Sequence, residues 1–193
     1  MICKAGLIWD SPLMFARLIE DCGTCCEAIT PHMLASPFYR GRFVSLIIPT
    51  GFGNADYSNL LPALRASQGR IRRFVENGGN LLIFGAGTDR PDAYDWLPFD
   101  LRYHHTYGPR PVRFREEDSR YASIIQGYDP RAIECDGSFT GYDAEAIATD
   151  DGGCAIVLEK TIQAGTVLVT SIHEYPSRAF LASFSCADRE TLF

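Results

Sequence analysis

Two glycine turns, each entered from an apolar run, hold the residues of this chain best suited to chemistry. Residues 43–49 (FVSLIIP) lead into Thr50-Gly51-Phe52-Gly53, and residues 81–84 (LLIF) lead into Gly85-Ala86-Gly87-Thr88. Successive amides of such a turn point outward, and a helix that starts beyond it adds positive potential, so the turn suits an anion or a polar ligand. The candidate ligand-binding residues are therefore Thr50, Gly51, Gly53, Gly85, Ala86, Gly87 and Thr88. The plainer reading is that the glycines serve only to turn the chain tightly. A third strand end carries His173-Glu174, the residue types of a general base and its orienting carboxylate. Alternate residues of a strand face opposite ways, so this pair diverges if the extended structure persists.

Other constellations point less sharply. His104-His105, within Tyr103-His-His-Thr-Tyr107, offers imidazoles for a metal or a binding site, but neighbours on a strand cannot both point inward. One buried, hydrogen-bonded ring and one exposed ring is the commoner outcome. The seven cysteines include Cys22-Gly-Thr-Cys25-Cys26, a CxxC without a second pair at ligand spacing, so a zinc site is not expected. An odd count in a chain that is not small disfavours a disulfide framework, and we expect buried thiols. No pattern asks for a cofactor.

The elements that must carry these residues alternate. Residues 4–9 read as a first strand, and Ser11-Pro12 as a cap and first helical position ahead of Phe15, Leu18, Ile19 and Cys22 on one helical face. Residues 25–29 form a short second strand, followed by an irregular crossing over 30–41. Ile71, Phe74 and Val75 mark a helix ended by Asn77-Gly78-Gly79 and followed at once by the buried strand 81–84. Pro62 and Gly69 divide the helical region 60–75 into two expected pieces. Residues 92–111, rich in aromatics and proline, read as a surface insertion or short antiparallel pieces. Trp96 and Phe99 are expected in the core, with Tyr94 and Tyr103 left open. Strands 155–158 and 166–172 form a hairpin through Gln163-Ala164-Gly165, and residues 177–184 a closing helix. Strands apolar on both faces belong in a parallel sheet covered by helices, whose ligands gather at the carboxyl ends of the strands.

Composition bounds the rest. The chain has 193 residues, 46% hydrophobic and 22% charged, enough for one domain spanning 1–193 with a sizeable core. A net charge of -6 and the absence of a basic run exclude a nucleic-acid backbone as an expected partner. No apolar stretch approaches a membrane span and no signal-peptide pattern opens the chain, so a cytoplasmic setting is expected. Homo-oligomers are left open.

Helix, glycine pair, buried strand and glycine turn together resemble the class I glutamine amidotransferase-like fold, where the turn reads Gly-x-Cys-x-Gly and carries the nucleophile. On that pattern Ile83 replaces the first glycine, Gly85 stands at the cysteine, and Gly87 is the last glycine. Pro49-Thr50-Gly51 is similar to the Pro-Gly-Gly turn that supplies an oxyanion-hole amide. Asp136-Gly137-Ser138-Phe139, Ala155-Ile156-Val157, Gly165 and Val167-Leu168-Val169 resemble the amidotransferase-like domain at the amino end of some biotin-protein ligases, whose last strand ends in His-Pro-Glu where this chain has His173-Glu174-Tyr175. The resemblance implies a flavodoxin-like, three-layer α/β fold with a mostly parallel sheet and a C-terminal antiparallel extension.

With Gly85 at the nucleophile position, the expected function is a non-glutaminase domain. It would bind a small polar or anionic molecule, or a partner protein, at the ends of the third and fourth strands. Two alternatives stand beside it. One is a hydrolase or transferase using another nucleophile, such as Thr88, Asp89 or a pocket-facing cysteine, with His173 as base. The other is a structural protein with a vestigial pocket and a useful aromatic surface.

Overall fold

The computed structural model describes residues 1–115 and 120–193. Its centre is five strands: β1 (Ile2–Ile8), β2 (Cys25–Ile29), β4 (Ser45–Ile48), β5 (Asn80–Ile83) and β11 (Gly165–Thr170). They lie in the order β2-β1-β4-β5-β11 and every neighbouring pair is parallel. The rest of the sheet is antiparallel: β10 (Ala155–Ile162) on β11, then β8 (Ile133–Thr140) and β6 (Arg102–Arg110), with β9 (Glu145–Thr149) and β7 (Arg113–Phe114) off that path. The result is a mixed α/β sheet, parallel at its centre and antiparallel at one end, compatible with a flavodoxin-like arrangement.

Alternation along each central strand divides the core in two. Leu46 and Ile48, Leu81 and Ile83, and Val167 and Val169 face one apolar cluster, while Ile47, Leu82 and Leu168 face the other. A period of two with apolar residues on both faces requires a helical cover on each side. The first cluster receives α2 (Pro31–Ala35) and α3 (Leu60–Glu76) through Leu34, Leu64, Ile71 and Phe74, and the second receives α1 (Met14–Asp21) and α4 (Arg178–Phe184) through Phe15, Ile19, Phe180 and Leu181. Each such side chain, fully buried, contributes about 1.5–3 kcal/mol by area removed from water.

Several local expectations are corrected. The region 60–75 is one helix, not two, because Pro62 sits in the first turn of α3, where backbone N–H groups have no intrahelical partner to lose. Gly69 is carried along by the buried face on either side of it. Helix α1 begins at Met14 with Leu13 at its cap, two residues later than Ser11-Pro12 predicted, and no side chain caps it. The crossing 30–41 contains α2, capped by Thr30 Oγ1 accepting from the Met33 amide, with Pro31 in its first turn. Of the two readings of the stretch after residue 89, the surface insertion gives way to antiparallel structure: Trp96 and Phe99 are buried as expected, Tyr94 is buried with them, and β6 is a nine-residue strand paired with β8. The β10–β11 hairpin and the Ser177-capped helix α4 lie where the sequence put them.

The cysteines bring a further correction. Cys3 and Cys186, 183 residues apart, form a disulfide. The reason is register: β1 pairs antiparallel with β12 (Cys186–Ala187), which sets Cys3 directly opposite Cys186, a juxtaposition that spacing along the chain cannot disclose. The last strand, β13 (Thr191–Leu192), pairs with β3 (Arg42–Phe43). Among the free thiols, Cys25 and Cys154 are exposed. Burial, with help from the Glu20 charge, pushes the Cys26 thiol up to about 11, and burial pushes the Cys135 thiol up to about 12.

Thiolate is the alkylated form, so these settings order the reactivity. At pH 8 without reductant, iodoacetamide should modify Cys25 and Cys154 first, with Cys26 and Cys135 slow. Cys3 and Cys186 should take up label only after reduction. Peptide mapping that finds Cys3 alkylated before reduction would remove the crosslink.

Candidate functional site

The parallel register Ile48↔Ile83 delivers the two glycine turns side by side, and they hydrogen-bond to each other. The Gly51 amide donates to Gly85 O at 2.8 Å and the Gly53 amide to Ala86 O at 3.0 Å. Gly51 and Gly87 both adopt positive φ, +87° and +67°, and a Cβ on Gly87 would stand 2.9 Å from the Gly51 Cα. Only glycine meets both demands, backbone hand and contact. The closeness has a chemical consequence, because the amides of Gly51 and Gly53 are already spent on carbonyls.

The second turn is occupied in a different way. Tyr103, from β6, donates its hydroxyl proton to Asp136 O at 2.7 Å with the Gly87 amide near its oxygen, while Tyr94 donates to Phe84 O at 3.2 Å with the Ala86 amide near its oxygen. Burial raises both phenols well above their ordinary range, so they stay protonated. Two turn amides predicted to face an anion, those of Gly51 and Gly53, thus have partners inside the protein, and two more lie beside phenol oxygens. Ala86 is fully buried, and Thr88 packs its methyl group against Gly53 rather than reaching a ligand. A Cβ on Gly85 would lie 2.8 Å from the Asp136 Cβ and 2.9 Å from the Tyr103 hydroxyl. The space a side chain at position 85 would need is therefore filled.

Asp136 arrives because β8 runs on past the end of β11. Its amide donates to Ser171 O at 2.7 Å, and the His173 amide donates to Glu134 O at 2.8 Å. This pairing sets the carboxylate, 6% exposed, against the His173 ring, with Nδ1 to Oδ1 at 2.8 Å. The other carboxylate oxygen takes the Thr50 hydroxyl, whose Oγ1 also lies 3.1 Å from Gly85 O. A carboxylate accepts, so in the neutral imidazole the proton sits on Nδ1 and Nε2 is left for a ligand. The expected partner of His173 was Glu174; the structure replaces it. Glu174 Oε1 instead accepts from the Glu134 amide at 3.5 Å, since consecutive residues of an extended chain diverge.

The two histidines of β6 separate as alternation requires. His105 turns inward, its Nδ1 2.7 Å from Asp136 O, whereas His104 is exposed and pairs with Asp89 at 3.2 Å. Asp89 also accepts from the His105 amide, so it is held rather than free to attack a substrate. Cys135, beside Asp136, faces the opposite core cluster. No group of three or more His, Cys, Asp or Glu side chains among the described residues is arranged to hold a metal ion.

Beside the plugged turn a cavity of about 780 Å³ remains open. Thr50, Gly51 and Gly87 border it together with His173, as the shared sheet edge required, while Gly85 is screened from it by Asp136. Trp9, Tyr57 and Tyr107 give it aromatic walls, and Asn54, Asp56 and His105 add polar groups. The Tyr107 ring meets the His173 ring edge to face at 5.4 Å. The lining has no Lys or Arg. Sequence reasoning missed Asp136, Trp9, Tyr57 and Tyr107 as site residues. For Asp136 a signal existed: a lone carboxylate inside an apolar strand needs a buried partner.

No family model matches the sequence, and no curated protein matches it. Solved structures do. A GMP synthase-type protein from Thermoplasma acidophilum superposes with a TM-score of 0.62 at 12% identity, over 95% of this chain and 92% of that one. Cytoplasmic Protein STM3548 from Salmonella typhimurium gives 0.51 at 11% identity, over 95% and 97%. The β-galactosidase of Bacillus circulans sp. alkalophilus gives 0.54 at 12% identity over 93% of this chain, but only 30% of its own length. At such identities the likeness is one of fold, a mixed α/β sheet compatible with the flavodoxin-like arrangement expected from the sequence.

A thiol placed at position 85 should not be accommodated. Gly85→Cys forces a side chain into space held by Asp136 and Tyr103, at a cost of about 1–3 kcal/mol for overpacking. The denaturation midpoint should drop, and ammonia release from glutamine should stay at background. A variant of unchanged stability that turns over glutamine would show that Asp136 and Tyr103 do not occupy that place.

Proposed function

We propose that this chain is a non-glutaminase domain of the class I amidotransferase-like type that binds a small polar ligand, uncharged or cationic, at the carboxyl ends of β4 and β5. One observation carries the reading: the nucleophile position is closed by Asp136 and Tyr103 while the cavity next to it stays open and walled by aromatic rings. A pocket that had merely decayed would be expected to fill with side chains. The anionic ligand expected from the glycine turns is disfavoured, because the Gly51 and Gly53 amides have internal partners and two carboxylates, Asp56 and Asp136, border the cavity. A small molecule is preferred to a partner protein because Tyr94, Trp96 and Phe99 are in the core and offer no docking surface.

In this reading the faces of Trp9, Tyr57 and Tyr107 hold the apolar side of the ligand, and His173 Nε2 meets a ligand hydroxyl or amine. Asp136 fixes the ring that does so.

A second reading rests on the same pair. An imidazole with Nδ1 on a buried carboxylate and Nε2 toward a cavity has the form of a general base, acting on a bound hydroxyl or water. The Thr50 hydroxyl points to Asp136 and not to the imidazole, so Thr50 is not its nucleophile.

The test is a nuclear magnetic resonance titration with polyols, monosaccharides, amines and glutamine against matched carboxylates and phosphates. Uncharged or cationic compounds should shift the His173 imidazole and Trp9 indole signals saturably, and His173→Ala should weaken the binding about tenfold, the loss of one good hydrogen bond to a charged or buried group. Binding confined to phosphates and carboxylates at these residues would overturn the reading. Conversion of a bound compound, lost in Asp136→Asn while binding persists, would select the catalytic alternative.

A further inference from the structure

A second cavity, of about 480 Å³, lies at the other end of α3 and has the opposite electrostatic character. Arg70 and Arg73, one turn apart on α3, border it with Arg40 from the loop after α2, over a floor made by Phe193 and Asn77. None of the three guanidinium groups pairs with a carboxylate among the described residues, although most other arginines of this acidic chain do. Arg70 donates to the Leu34, Ser36 and Tyr39 carbonyls and stacks on the Phe193 ring at 4.3 Å, and Arg40 donates to the Pro37 and Tyr39 carbonyls. Arg73 donates no side-chain hydrogen bond among the described residues.

Ordinary structural roles account for part of this. Arg70 ties the end of α2 to α3, and cations in the last turn of a helix complement its dipole. Neither role concerns Arg40, which its bonds to the Pro37 and Tyr39 carbonyls hold at the same cavity as the other two. Burial lowers the Arg70 pKa, and the charges of Arg40 and Arg73 lower it further, so the three repel one another without a carboxylate to offset it. Carbonyl bonds leave each group its full positive charge, and guanidinium forks match planar or tetrahedral oxyanions in two-point contacts.

We propose that Arg40, Arg70 and Arg73 form a binding site for a small oxyanion, a phosphate or carboxylate group carried on a molecule that fits the 480 Å³ cavity. Arg70 is the fixed member, already oriented by its three carbonyls and the Phe193 ring. Arg40 and Arg73, both exposed, close on the anion from either side. The site is separate from the aromatic cavity at the strand ends, and it stands or falls without the reading given to that cavity.

Isothermal titration of the full chain with pyrophosphate and, in parallel, citrate tests the proposal and separates the two sources of the anion. At low ionic strength one or both should bind saturably at one site per chain. Arg73→Gln and Arg40→Gln, which remove no bond to a carboxylate, should each weaken binding about tenfold, and circular dichroism should show them folded. Arg113→Gln removes the same charge at a distant surface pair with Asp151 and should leave the affinity unchanged. Absence of saturable binding would overturn the proposal, as would equal losses in all three variants or retention on heparin without pyrophosphate or citrate binding.

Discussion

The buried carboxylate of Asp136 is the group on which the architecture of the site depends. An ionised carboxylate taken out of water costs several kcal/mol unless partners surround it, and here every partner comes from a different element. Thr50 reaches it from the turn after β4 and His173 from the end of β11, while its own carbonyl accepts from Tyr103 and His105 of β6. Four segments of the sheet are thereby fixed at one point. The parallel centre and the antiparallel extension meet there, because β8 crosses the end of β11 and pairs with residues 171 to 173.

That crossing also changes what the fold can do. A strand-to-helix glycine turn exposes amides at a helix N-terminus, but the turn after β5 leads through bends and turns to strand β6, so the helix expected beyond it is not there. In this chain the amides of Ala86 and Gly87 face phenol oxygens, and the Cβ direction of Gly85 runs into Asp136. Gly85, Asp136 and Tyr103 are a single packing solution: glycine is required at 85 because the carboxylate is there. The glycine at 85 is therefore a structural requirement.

The central sheet was legible because its signals are local. Continuous apolar runs over β4, β5 and β11, the Asn77-Gly78-Gly79 stop and the Gln163-Ala164 turn all act through neighbours in sequence, and the structure has each where periodicity and turn chemistry predicted. What could not be read depends on register between distant segments. Asp136 meets His173 only through the β8 crossing, and Cys3 meets Cys186 only through the pairing of β1 with β12. Residue type misled in other places. Pro62 suggests a break, yet in the first helical turn it removes no bond, and residue type alone leaves Tyr94 and Tyr103 open although they pack on each other and on Phe139.

Charge is distributed along α3 in a way that follows from the same geometry. Its first turn follows the loop carrying Asp56, and Asp10 accepts from the Ser58 hydroxyl and the Asn59 amide just ahead of it, so carboxylates gather at the positive end of the helix dipole. Arg70 and Arg73 lie near the negative end, within the last two turns before Asn77. A 17-residue helix is about 25 Å long, more than two Debye lengths at physiological ionic strength, so the acidic and the basic cavity act on solutes independently. A dipole argument accounts for the sign of the charge at each end but not for its concentration. For the arginines the excess is Arg40, which belongs to another element and gains nothing from the α3 dipole that a solvent-facing rotamer would not also give. Its orientation toward two like charges is what separates a helix-capping cluster from a cluster shaped to hold an anion.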